Sequence, residues 1–217
     1  MTQSVEKSAS TEASVPGPHE SRAQATAARK QQVVAAALKC FTDKGVEKTT
    51  VADICRESGC SVGSLYHHFG TQEGVAGALF IHAIELLNAD LLARLQRCRS
   101  VASGVRMVVT QYSDWVTAHP DYARFLHSGE VEFTPTARTR LREIYLTHIG
   151  AVFGWFHPYV VAGQMRALPP ETYVPLISGP IRDYTRQWLS GRVQKEPAAV
   201  KAVFAEAAWN SVRGVQT

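Results

Sequence analysis

The sequence predicts an all-α protein, and three observations carry that expectation. Apolar residues recur at helical spacing along most of the chain, no convincing alternating run of strand type occurs, and no long internal repeat interrupts the pattern. With 217 residues, 45% of them hydrophobic and 19% charged, the chain can build one large core or two small ones without disulfide or metal staples. The same composition excludes disorder over its whole length.

The elements follow in order. Residues 1–21 are rich in Ser, Thr, Ala, Glu and Pro, lack apolar periodicity, and read as a disordered leader. Val34, Ala37, Leu38 and Phe41 then recur at i, i+3, i+4 and i+7, one face of a helix from near Ala23 to Asp43 that Gly45 stops. Thr50 with Asp53 reads as a capping pair before a short helix, Val51 to Ser58, with Ile54 inward. Gly59 supplies a tight turn, and Ser61 caps a second short helix, Val62 to Phe69, whose Leu65 and Phe69 share a face. Two short helices joined by a Gly-containing turn form a helix-turn-helix.

A longer helix is expected from Thr71 to near Arg99, with Leu79, Ala83, Leu86, Leu87 and Leu91 inward, and another from Ala102 to Ala118 bearing Met107, Val108, Tyr112 and Trp115. Pro120 starts a short helix, and a helix over 136–161 is kinked or ended by Pro158. After Pro169-Pro170, Tyr173, Ile177, Ile181, Tyr184 and Trp188 form a stripe that Gly191 ends, and Val200, Val203, Phe204, Ala207 and Ala208 mark the last helix. The expected organisation is a three-helix helix-turn-helix domain over 22–70 and a larger helical body over 71–217, about nine helices by this periodicity.

Cys40, Cys55, Cys60 and Cys98 form no CxxC pair and read as reduced thiols of a reducing compartment. No secretory signal precedes the helices, and no run reaches the roughly 18 apolar residues that span a bilayer. The nearest run, 149–162, holds Gly150 and Gly154 at GxxxG spacing, which in a chain without a membrane span indicates close helix packing. A cytoplasmic location without a membrane partner is therefore expected. The net charge is +4, unevenly placed. Residues 22–70 hold seven basic side chains (Arg22, Arg29, Lys30, Lys39, Lys44, Lys48, Arg56) against four acidic ones. That is roughly three times the charge density of the body, and a phosphate backbone requires such a concentration.

The run Thr49-Thr50-Val51-Ala52-Asp53-Ile54-Cys55, followed by Ser58-Gly59-Cys60-Ser61-Val62-Gly63-Ser64-Leu65-Tyr66-His67-His68-Phe69, resembles the DNA-binding domain of the tetracycline-repressor (TetR) family. The resemblance is strong over residues 25–80, where Thr-Thr, Gly-x-Ser-x-Gly and Leu-Tyr-x-His-Phe elements occur in the right order; beyond that it rests on helix count and lengths. It implies that Thr50, Ser61, Val62, Gly63, Ser64, Tyr66, His67, His68 and Gln72 sit at an operator surface. Ser61 would leave helix N–H groups facing a phosphate, Gly63 would let the backbone approach DNA, and Tyr66 and His68 would hydrogen-bond phosphates or base edges. The chain departs from the family pattern at Gln72, where a phosphate-binding lysine is usual, and at Cys55 and Cys60, where Ala and Val are commoner.

The resemblance further implies a homodimeric regulator, a repressor released from a palindromic operator in double-stranded DNA by a small-molecule inducer. The candidate ligand contacts are Tyr112, Trp115, Tyr122, Phe125, Tyr145 and Trp155. The candidate dimer contacts are Ile177, Ile181, Tyr184, Trp188, Val203, Phe204 and Ala207, with the helix from Gln72 to Arg99 as the lever between the two regions. Other readings stay open. A dimeric DNA-binding regulator without a ligand fits the same residues. Gly59-Cys60-Ser61-Val62-Gly63 also matches the nucleophile elbow of serine hydrolases, which would make Ser61 catalytic but requires a preceding strand. No HExxH occurs, and His119, His127, His148 and His157 lack ligand spacing, so neither metal nor cofactor is expected.

Overall fold

The computed structural model describes residues 18–129 and 131–214. Among them are ten helices: α1 (Pro18–Lys44), α2 (Val51–Ser58), α3 (Val62–Phe69), α4 (Gln72–Asn88), α5 (Leu91–Gln96), α6 (Val101–Ala118), α7 (Pro120–His127), α8 (Pro135–Val161), α9 (Pro170–Leu189) and α10 (Pro197–Val212). No strand forms among the described residues; the one bridge pairs Met165 with Arg213, tying the α8–α9 connection to the end of α10. The leader expected over 1–21 lies outside the described residues as far as Gly17, and from Pro18 the chain is already helical, proline being tolerated at a helix's first position.

The expected helix over 71–99 is two helices, broken at Ala89 and Asp90. Leu79, Ala83, Leu87, Leu91 and Leu95 are all buried and all four residues apart. At 3.6 residues per turn such a stripe drifts by about 160° over its length. A straight helix would carry its far end out of the core, and the break returns Leu91 and Leu95 to it. Leu86, expected inward, is exposed. By length and composition the segment 72–96 would suit a membrane span, which the apolar-run criterion missed. Here its stripe is packed into protein. Pro158 lies inside α8, which ends three residues later, and α9 accommodates Pro175 and Pro180. Gly150 and Gly154 touch nothing, and a Cβ at either would meet no atom within 4 Å. Their spacing therefore does not mark packing within the chain.

Two cores result. The first joins Val33, Ala37 and Phe41 of α1 to Ile54 of α2, Leu65 of α3, and Val75 and Leu79 of α4. The second joins α4–α6 to α8–α10 through residues such as Leu95, Val105, Val109, Phe156, Ile181, Ala208 and Val212. α7 serves both. Its Ala123 lies in the second core, but its Phe125 enters the first, stacked on Phe41 at 5.6 Å with the rings 8° from parallel and set against Phe80 of α4 at 6.3 Å. Truncating this ring leaves a hole where three helices meet. Phe125→Ala should lower the unfolding free energy by about 3 kcal/mol and Phe125→Leu by much less, as read by urea denaturation.

Candidate nucleic-acid interface and inner cavity

The helix-turn-helix is built by its caps. Thr49 is buried, and its hydroxyl donates to the carbonyls of Cys40 (3.1 Å) and Gly45 (2.8 Å), closing the α1–α2 loop. Thr50 caps α2 with a reciprocal box. Its Oγ1 accepts from Asp53 N–H (3.2 Å), while its own N–H donates to Asp53 Oδ2 (3.1 Å). Lys44 (2.7 Å) and Arg56 both donate to the other carboxylate oxygen. The Lys44 and Thr50 hydrogen bonds hold the Asp53 carboxyl well below the usual carboxylate range. Gly59 ends α2 at φ 70°, in the left-handed region that favours glycine. Ser61 then caps α3, its Oγ accepting from Ser64 N–H at 3.2 Å. Ser61 is thus flanked by two helices. Without the strand that a nucleophile elbow requires, its hydroxyl is a cap, and the hydrolase reading loses its geometry.

The exposed face of α3 carries Val62 (48% exposed), Gly63, Tyr66 (49% exposed) and His67. A Cβ on Gly63 would meet nothing within 4 Å, so the backbone there is open to a close-approaching partner. Ser64 and His68 are half-buried. The His68 ring stands edge-on to His67 at 5.0 Å. Burial, then the charges of His67, Lys30 and Arg29, pushes its pKa down. α1 therefore brings two cations beside the recognition helix.

The basic excess sorts further. Lys39 pairs with Glu57, and Lys44 and Arg56 with Asp53, whereas Arg22, Arg29, Lys30 and Lys48 make no ion pair among the described residues. Arg29 and Lys30 are exposed cations whose charge reaches His68 of α3, and the motif reading did not single them out. Their presence in the α1 charge pattern was the available signal. Gln72, expected at the operator surface, donates its Nε2 to the Val46 carbonyl at 3.2 Å and is half-buried. The amide braces the α1–α2 loop.

A cavity of about 520 Å³ lies between α4, α5, α6, α8 and α9, within the range of small-molecule sites. Of the six expected ligand contacts, Tyr112 and Tyr145 line it. Trp115 packs against His119 and Tyr122 with the rings tilted, away from it. Trp155 lies over Gly104, where even a Cβ would come within 2.4 Å of the indole. Phe125 belongs to the first core. Each of these rings has the helical spacing of an inward residue, but its partner is a neighbouring helix. The cavity walls instead include Phe80, His148, Phe156, Ile177 and Arg182, none chosen from the sequence as a ligand contact.

Arg182 lies 5.4 Å from the Tyr112 ring centroid, and the Tyr112 hydroxyl is 2.7 Å from His127 Nε2. Burial, with Arg182 and Arg186, pushes His127 down to about 4. Burial also lowers the His148 pKa, and His148 Nε2 is buried with no partner among the described residues.

Of the expected dimer contacts, Ile177 and Ile181 are buried in the chain's own core, because the α9 stripe faces α6 and α10. Tyr184 and Phe204 are half-buried with tilted rings 5.2 Å apart, and Trp188 is half-buried. Val203 (70% exposed) and Ala207 face outward. No group of three or more His, Cys, Asp or Glu able to hold a metal occurs among the described residues.

Residues 33–79 match the family described as bacterial regulatory proteins, tetR family. The HTH-type transcriptional regulator BetI of Burkholderia mallei (strain NCTC 10229) is 23% identical over 182 residues, 81% of this chain and 88% of BetI. The HTH-type transcriptional repressor AcnR of Corynebacterium jeikeium (strain K411) is 28% identical over 131 residues, 54% of this chain and 66% of AcnR. The structure of the regulator FadR of Bacillus subtilis in complex with stearoyl-CoA superposes with a TM-score of 0.70 at 15% identity, covering 82% of this chain and 96% of FadR.

Neutral His127 makes folding sensitive to acid. The folded protein holds its pKa near 4 and the unfolded chain near 6.5, so the unfolded state binds more protons between those values. The urea midpoint should fall as pH drops through that window, and the fall should be smaller in His127→Gln.

Proposed function

We propose that this chain, which belongs to the tetR family of bacterial regulatory proteins and is a DNA-binding transcriptional regulator, is a homodimeric repressor that a small molecule releases from a palindromic operator. The observation that carries the reading is the coincidence of one exposed, capped recognition helix with a basic α1 face on one side of the chain and a largely apolar cavity on the other. α3 enters a major groove, with Tyr66, His67 and Val62 towards base edges and the free N–H groups of α3 towards phosphate. Arg29, Lys30 and Lys48 supply backbone charge. The work is done on DNA, in the cytoplasm, without cofactor or metal.

The dimer forms on the outer faces of α9 and α10. Val203, Ala207 and Gly179 make that face apolar and low, and nothing within the chain covers Gly179. A two-fold axis there sets the spacing of the two α3 helices. The chain of contact from cavity to DNA is short. Phe80 lines the cavity and touches Phe125, which stacks on Phe41 of α1. A ligand that displaces Phe80 therefore acts on the packing of the DNA-binding domain itself, and it releases DNA to the extent that it prefers the displaced state.

These roles separate experimentally. In a gel-shift assay with DNA from upstream of its own gene, Tyr66→Ala should weaken binding by 1–3 kcal/mol, while Lys30→Ala should weaken all sequences alike and reduce the salt slope by about one. Val203→Glu should yield a monomer in sedimentation at micromolar concentration and lose operator affinity with it. A wild-type chain that shifts none of its upstream DNA at low salt would overturn the regulator reading.

A further inference from the structure

We infer that the cavity takes an organic anion, a carboxylate on an extended apolar body with its head at Arg182 beside Tyr112, and rejects an organic cation of the same shape. This deepens the ligand-release reading and rests on it for its regulatory meaning. The first observation is the sign of the lining. No Asp or Glu faces the cavity, but Arg142 and Arg182 do. The second is that neither arginine has an ion pair among the described residues, although carboxylates are near. Glu85 and Glu143 bind Arg140, and Asp183, next to Arg182 in sequence, is held by Arg186 and Gln187. The nearby acids are thus committed elsewhere, and the cavity edge is left with uncompensated positive charge.

The third observation locates the head. The Arg182 guanidinium rests against the Tyr112 ring, and His127, joined to the Tyr112 hydroxyl, is kept neutral partly by the charges of Arg182 and Arg186. Arg186 is paired with Asp183, so the positive potential at His127 is left chiefly to Arg182, which has no ion pair among the described residues. A carboxylate placed there meets the planar donor fork of arginine and relieves that potential, whereas an ammonium adds to it. The fourth is the rest of the wall. Ile84, Leu87, Val108, Phe156 and Ile177 offer an apolar body its burial, and polar members of the wall such as Asn88, Gln111 and Ser178 are uncharged. Discrimination therefore comes from attraction at the head and repulsion of the wrong sign.

The test uses the DNA-free full chain and three probes of one length, dodecanoate, dodecanol and dodecylammonium, each below its micelle concentration, with affinities from calorimetry. Dodecanoate should bind about tenfold or more tightly than dodecanol, and dodecylammonium more weakly than both. Arg182→Gln should cost about tenfold for dodecanoate and leave dodecanol unchanged, which also shows that the cavity is still folded. Equal or tighter binding of the ammonium, no saturable binding of the carboxylate, or a loss confined to Arg142→Gln would overturn the proposal. A chain that binds dodecanoate but shifts no DNA overturns the regulator reading alone. One that shifts DNA but binds no carboxylate overturns this inference alone.

Discussion

The Phe125 ring, delivered by α7 into the core of the helix-turn-helix, is the contact on which the rest of the molecule depends. The first core is small, and α1, α2 and α3 close it with the N-terminal half of α4 and with residues from a later part of the chain, of which this ring is the buried one. α7 also anchors Ala123 in the body core and brings His127 to Tyr112. The packing of the first three helices thus extends past residue 70 into α4 and α7. It is completed by residues whose other neighbours surround the cavity. A close-packed interior transmits such displacements, since a ring that shifts must be followed by its neighbours.

That arrangement makes the cavity a mechanical neighbour of the DNA surface, not merely a distant pocket. Phe80 belongs to both, and the break in α4–α5 keeps Leu87 and Leu91 in the cavity wall while Val75 and Leu79 stay in the first core. One helix so divided can report on both regions. Electrostatics divides the same way. On α1, Arg29 and Lys30 lack ion pairs and stand beside α3; at the cavity, Arg142 and Arg182 lack them too. Elsewhere arginines such as Arg106, Arg124 and Arg140 are paired with acids.

The helix-turn-helix was legible because its determinants are local. Thr50 with Asp53, Gly59 at its left-handed turn, and Ser61 with the Ser64 N–H lie within a few residues of their partners, so their spacing states their geometry. Even there, locality had limits. The brace from Gln72 to the Val46 carbonyl was not legible, because its partner lies 26 residues away in sequence. The body was legible only as helices. Trp115, Phe125 and Trp155 all carry the inward signal, but periodicity reports that a face is covered and never by what.

The sequence by itself therefore determined most of the helices and the caps of the helix-turn-helix, because hydrogen bonds between near neighbours and the 3.6-residue period are written in consecutive residues. Only the tertiary structure decided which rings became core and which became cavity, that Ile177 and Ile181 face inward and Val203 outward, and that Arg182 stands without an acid. Each of those outcomes depends on which distant helix arrives opposite, and that is set by the packing of the whole chain against itself.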